Sequence, residues 1–208
     1  MSDISAKDVA ALRKKTGAGM MDAKRALEES GGDMGAAATW LLEKGIADAR
    51  KRTGRVAEQG TIGHYLHVQA ERPVIGVLVE LTSETDFVAK GEEFQQAARD
   101  IAMHIAAAKP EWVRREDVPQ EAAAAESDLF AAQARNEGKP EQVIDRIVQG
   151  KLDAFYRDKV LYEQVFVNPE KFDGTVGQMV DAMAGKLGEN IAVRRFARIG
   201  VGEGTEGR

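Results

Sequence analysis

The sequence predicts an α+β fold: a three-helix module followed by a core in which a small antiparallel sheet packs with helices. Three observations lead there. The first 55 residues read as short helical stretches, each followed by a glycine at Gly17, Gly31 and Gly45. The period then changes to that of strands at 61–68 and 74–81, which are rich in β-branched and aromatic residues. Helical periodicity returns from about residue 92 to 187, without the strand–helix–strand alternation of a parallel sheet.

Ser5 and Asp8 have capping-box spacing, and Ile4 and Val9 occupy the two positions of a hydrophobic staple across that cap. A first helix is expected from Ala6 to Lys15, a second from Met21 to Glu29, and a third from Met34 to Lys44 with Asp33 as its cap. Met34, Ala37, Ala38 and Leu41 share one face of the third helix. In the connection Thr16-Gly-Ala-Gly-Met20, two glycines allow a tight turn, and Met20 and Met21 follow. Adjacent helical residues point about 100° apart, so one methionine is expected in the small core and the other outside. An exposed methionine is an adaptable contact for a partner.

The polar, glycine-broken stretch from Arg52 to Gly60 places a boundary near residue 55, giving a module at 1–55 and a core at 56–208. Gln69-Ala-Glu-Arg-Pro73 separates the two strand-like runs as a hairpin loop. A third strand at Ile191 to Ile199 lies more than a hundred residues away and would close the sheet by long-range pairing. Between them, Phe94, Ala97, Ala98, Ile101, Ile105 and Ala108 form one apolar stripe that Pro110 ends. Further helices are expected at Gln120 to Arg135, around Val143 to Phe155 with an interruption at Gly150, and at Thr175 to Leu187. The glycine-rich tail from about Gly200 is expected to be mobile.

A chain of 208 residues buries enough surface to fold without staples, and there is no cysteine for disulfides, thiolate metal sites or a thiol nucleophile. Basic residues number 29 and acidic 34, a mildly acidic balance unlike that of a nucleic-acid binder. Residues 1–55 carry a local basic excess, concentrated at Arg50, Lys51, Arg52 and Arg55, which reads first as a solvated face. No signal peptide or membrane span is apparent.

Catalytic signatures are scarce. No phosphate loop is present, and Gly200-Val-Gly-Glu-Gly204 lacks the following helix that a dinucleotide loop needs. His64 and His67 would point to opposite faces of a strand, and His104 borders the apolar stripe of its helix, so all three read as structural or surface residues. No cofactor, metal or catalytic residue is expected.

Thr82-Ser-Glu-Thr-Asp-Phe-Val-Ala-Lys90 lies between the second strand and the long helix, where binding residues often sit. Phe87 either packs under the helix start or faces a partner. Thr85-Asp-Phe-Val-Ala-Lys90 resembles the signature of the elongation factor Ts family, and Thr16-Gly-Ala-Gly-Met-Met-Asp-Ala-Lys-Arg-Ala-Leu27 is similar to its N-terminal signature. Gly188-Glu-Asn-Ile-Ala-Val-Arg-Arg195 resembles its C-terminal strand. The resemblance implies a ubiquitin-associated-like first module and a non-enzymatic, cytoplasmic guanine-nucleotide exchange factor acting on elongation factor Tu. It implies that Arg13, Met20 and Met21 touch the partner's nucleotide-binding domain. Thr85, Asp86, Phe87 and Val88 would disturb its magnesium site, with Phe87 as a wedge. The chain looks like the family's short form, for which a homodimer and a two-plus-two complex are expected, with no direct contact to nucleic acid or membrane. The competing reading is a translation-associated RNA binder using Arg50 to Arg55 and Arg194, Arg195 and Arg198.

Overall fold

Ser5 opens the first helix through the foreseen capping box: its hydroxyl accepts from the Asp8 backbone N–H at 3.2 Å, and the Asp8 carboxylate accepts from the Ser5 N–H at 3.3 Å. Helix α1 (Ala6–Thr16) ends at Gly17, whose φ of +73° is the left-handed conformation a side chain would resist. The computed structural model describes residues 4–52 and 54–204. Helices α2 (Met20–Glu29) and α3 (Met34–Arg50) follow, the latter capped by Asp33, which accepts from Ala36 N–H at 2.6 Å. Leu12, Ala23, Ala26, Leu27 and Ala37 are fully buried between the three helices, with Ile4, Met34 and Leu41 packed around them.

Helix α3 does not stop at Lys44. It continues through Gly45, and the reason lies in helix α8 (Val176–Leu187). A Cβ added to Gly185 would stand 2.6 Å from the Gly45 Cα, so the two helices cross backbone to backbone. Gly185 is thus the glycine that the close approach requires, and Gly45 sits inside α3 without terminating it.

Strands β1 (Gln59–Gln69) and β2 (Arg72–Ser83) form the expected hairpin with a tighter loop than Gln69–Pro73. Only Ala70 and Glu71 turn the chain, at φ +48° and +61°, the sign pattern of a type I′ turn whose twist matches the strands. Strand β3 (Ala192–Gly200) lies on the other side of β2, giving the antiparallel order β1–β2–β3. Its far end is fixed where Val201 N–H donates to Val74 C=O at 2.9 Å.

After β2 come the one-turn helix α4 (Asp86–Ala89) and the long helix α5 (Glu92–Ala108). Helices α6 (Gln120–Asn136) and α7 (Glu141–Lys159) pack as a hairpin turned at Gly138. The interruption expected at Gly150 is absent. That glycine is exposed, a Cβ there would meet nothing within 4 Å, and a single helical glycine costs only about 1 kcal/mol relative to alanine.

Two compact units emerge from these elements. One comprises the chain to Thr61, Thr82–Gly91 and Gln178–Ala192, and contains the three N-terminal helices, α4 and most of α8. The other comprises Ile62–Leu81, Glu92–Gly177 and the chain from Val193. In the second unit, one sheet face is buried at Val77, Val79, Leu81 and Val193, and helix α5 buries Phe94, Ala98, Ile101 and Ile105. Gly63 permits the contact with α5: a Cβ there would lie 2.2 Å from the Ala98 carbonyl oxygen. Along β3 the alternation slips at Arg194 and Arg195, which are both exposed and both reach the Glu80 carboxylate, at 3.1 and 2.7 Å. Beyond β3, Lys109 and Arg198 hold Glu203 in ion pairs that pull its carboxyl down to about 2. Residues 205–208, the end of the glycine-rich tail, lie outside the described residues. Among the described residues no helix is long and apolar enough to cross a membrane.

Candidate functional site

The segment that stood out in the sequence leaves β2 at Ser83, whose hydroxyl donates to the Thr85 carbonyl at 3.0 Å. Thr85 has the extended backbone of an N-cap, and its Oγ1 accepts from Val88 N–H at 3.3 Å, which starts α4. Helix α4 lasts a single turn because Gly91 N–H closes back on the Val88 carbonyl at 2.9 Å. Ala89 is buried, Val88 is half-buried, and Phe87 is 85 % exposed. Of the two fates open to Phe87, packing under the helix start is therefore not the one adopted. Asp86 is exposed, and Lys90 donates to it at 2.6 Å one turn along. That hydrogen bond, with the charge of Lys90, holds the Asp86 carboxyl below the usual carboxylate range.

The turn is clasped from a distant part of the chain. Backbone N–H groups of Glu84 and Thr85 both donate to Glu189 Oε2, at 3.0 and 3.1 Å, and Thr85 Oγ1 donates to Glu189 Oε1 at 2.5 Å. In return, Asn190 N–H donates to Glu84 Oε1 at 2.6 Å, and its side-chain amide donates to the Arg55 carbonyl at 2.7 Å. The Arg55 guanidinium lies 3.6 Å from Glu84. No local spacing could have disclosed Glu189, which is 104 residues from Thr85. The available signal was its place in the Gly188-Glu-Asn segment of the third motif.

At the α1–α2 junction, Arg13 is exposed and its Nε donates to the Ala18 carbonyl at 3.3 Å. Met20 and Met21 are 61 % and 76 % exposed, so neither enters the core of the three helices. The expectation that one would do so fails on both: Met21 shares the outer face of α2 with exposed Lys24, Arg25 and Glu28, and Met20, three residues before buried Ala23, stands in the first turn and is left uncovered. No hydrogen bond or ion pair among the described residues joins this set to Thr85–Val88.

His64 and His67 are exposed on β1, whereas His104 is fully buried in α5. Its Nε2 lies 3.0 Å from Gln164 Oε1, its Nδ1 accepts from Val167 N–H at 3.2 Å, and Phe166 stacks on the ring. Burial lowers its pKa, as expected of a structural imidazole.

In class this is an α+β protein in which Phe87, Met20 and Met21 face outward. A family model described as Elongation factor TS matches residues 45–203. The chain is 50 % identical over 208 residues to an elongation factor Ts of Desulforamulus reducens, spanning all of this chain and 94 % of that one. It is 52 % identical over 202 residues to that of Carboxydothermus hydrogenoformans, covering 97 % of this chain and 90 % of the relative. A third, from Moorella thermoacetica, is 50 % identical over 201 residues, or 97 % of each chain. The chain belongs to the elongation factor Ts family and so to the factors of translation elongation.

Proposed function

We propose that this protein is a guanine-nucleotide exchange factor that binds elongation factor Tu carrying GDP, disturbs its magnesium and phosphate site, and lets GTP rebind. The observation that supports this most directly is Phe87, 85 % exposed on a one-turn helix whose start is clasped by charge-assisted hydrogen bonds. An aromatic side chain left in water on an ordered turn is poised to lose its hydration in a partner's apolar crevice.

No covalent chemistry is required, and the protein acts as a binding factor, not an enzyme. Exchange is a coupling free energy: a factor that binds the nucleotide-free GTPase better than the loaded form weakens nucleotide binding by the same ratio. Each tenfold loss of nucleotide affinity needs about 1.4 kcal/mol of differential binding. The partner's magnesium is a vulnerable target because it joins phosphate oxygens to protein ligands in demanding octahedral geometry. In this reading Phe87 and Val88 wedge, Asp86 perturbs the polar network around the metal, and Thr85 fixes the turn that carries them.

Residues 1–55 act in the same reading as a docking module ahead of the core at 56–208. Arg13 supplies a charge there, and Met20 and Met21 supply soft apolar contact to the nucleotide-binding domain. The outer face of the sheet, with Ile62, Leu66, Val68 and Leu78 exposed, suits a second copy of the chain, giving a homodimer and a two-plus-two complex with the GTPase. The site of action is the cytoplasm, where translation takes place. The arginines that an RNA-binding reading would use at the C-terminal strand are paired, Arg195 with Glu80 and Arg198 with Glu203, which favours exchange over that alternative.

The test is release of fluorescent GDP from elongation factor Tu with this protein at substoichiometric concentration. Accelerated release with turnover is expected. Unaccelerated release from a GTPase shown to be competent would sink the proposal.

A further inference from the structure

We propose that Glu189 is a positioning residue for exchange, holding the Thr85–Val88 turn in the orientation that presents Phe87. The inference rests on the exchange reading above, and deepens it by naming what sets the geometry of the wedge.

A one-turn helix has no stability of its own, since fixing its first turn costs more conformational freedom than one hydrogen bond returns. Phe87 makes no packing that could hold it, being almost wholly exposed. The restraint comes from the end of β2 and from the Glu189–Asn190 segment, which exchange backbone and carboxylate contacts reciprocally. Glu189 takes the N–H groups of Glu84 and Thr85, while Glu84 takes the N–H of Asn190. Carboxylate acceptors make these bonds stronger than neutral ones. The two like charges are offset by Arg55, whose guanidinium faces Glu84 and whose carbonyl accepts from the Asn190 side chain.

Thr85 links the clasp to the helix. Its hydroxyl has one proton, committed to Glu189 at 2.5 Å, so a lone pair is left to accept from Val88 N–H at 3.3 Å. Without the carboxylate the hydroxyl could rotate and give up the cap, and α4 would lose both its entry direction and its first bond. The third sequence motif, Gly188-Glu-Asn, thus acquires a role that its position just before a strand did not suggest.

The experiment measures GDP release from elongation factor Tu across a concentration series of the full chain, with Glu189→Ala, Glu189→Gln, Phe87→Ala and the Glu189→Ala/Phe87→Ala double variant. We expect Glu189→Ala to slow the saturating rate roughly tenfold, with the half-saturating concentration changed by less than about threefold. Glu189→Gln should recover part of the rate, because its amide oxygen still accepts from the two backbone N–H groups. In the Phe87→Ala background, Glu189→Ala should add no more than about twofold, since the residue acts through the wedge. A wild-type rate in Glu189→Ala, or the full tenfold loss repeated on top of Phe87→Ala, would overturn the proposal.

Hydrogen exchange on the same variants keeps the two readings apart. The Glu84 and Thr85 amides should lose protection in Glu189→Ala while Val79 and Leu81 keep theirs; unchanged protection at Glu84 and Thr85 would refute the clasp. If the wild-type chain itself fails to accelerate GDP release from elongation factor Tu, the exchange reading falls, whatever the amides report.

Discussion

A Cβ built on Gly185 would stand 2.6 Å from the Cα of Gly45, whereas one built on Gly45 would stand 3.7 Å from the Cα of Gly185. The crossing of α3 and α8 is therefore one-sided: α8 presents its bare backbone to α3, and α3 has an ordinary van der Waals gap in return. Gly185→Ala should force the helices apart and destabilise the protein by about 1–3 kcal/mol. Gly45→Ala should be neutral or stabilising by up to about 1 kcal/mol, because alanine is the better helix former. Urea unfolding of both variants checks this, and equal large losses would show that both positions are equally tight.

Phe87 contributes little to the fold because so little of it is covered. Phe87→Ala should leave stability within about 0.5 kcal/mol of wild type. An aromatic wedge at an interface contributes about 2 kcal/mol, so GDP release should slow roughly thirtyfold, with a smaller loss of affinity for nucleotide-free elongation factor Tu. Release rates and binding to the nucleotide-free GTPase, measured on one preparation, separate the two. Equal losses in both would mean that Phe87 binds without wedging.

Local rules written into short stretches were the legible part of this fold. Ser5 with Asp8, Asp33 ahead of α3, Gly17 after α1 and the stripe from Phe94 to Ile105 each act over one to four turns, and each was readable where it stood. What the sequence hid depends on partners far along the chain. Gly45 looks like a helix stop until α8 arrives 140 residues later, and Gly63 looks like a weak strand position until α5 lies on it. Met20 has the spacing of the buried face, three residues before Ala23, but stands in the first turn of α2 and is left exposed, while Met21 shares the outer face of Lys24, Arg25 and Glu28. At the candidate site, the residues that face outward were marked by motif, but Glu189, which holds them, meets them through hydrogen bonds made across 104 residues of chain, which no local spacing encodes.

Buried His104 should give the protein a pH dependence of known sign. One ring nitrogen accepts from Val167 N–H, so the other carries the proton towards Gln164, and the ring is neutral. Its pKa lies below the ordinary 6.5, chiefly through burial. Below that pH the unfolded chain takes up a proton that the folded chain refuses, so stability is full above about pH 6.5 and falls as the pH drops towards the folded-state value. The slope can reach about 1.4 kcal/mol per pH unit. Urea midpoints between pH 8 and pH 5 should show this decline, and His104→Gln should be less stable throughout but flatter over that range. A wild-type curve with no fall between pH 7 and pH 5 would contradict it.

The outer face of the sheet offers the last test. Gly63 on β1 faces α5, and Val77 and Val79 on β2 are buried, so the pleat sends Ile62, Leu66, Val68 and Leu78 to the opposite side. Leu66 reaches across to the bare backbone of Gly76, 3.4 Å from where a Cβ would stand, which places it beside Leu78 on that face. If a second copy covers these residues, Leu78→Asp should give a folded monomer, since a carboxylate is tolerated in water but not against the same face of another chain. Sedimentation at tens of micromolar should find wild type at twice the chain mass and Leu78→Asp at the chain mass, with similar thermal midpoints at low concentration. A monomeric wild type would remove the two-plus-two complex and leave GDP release to a single chain. A dimeric Leu78→Asp would move the interface to another surface.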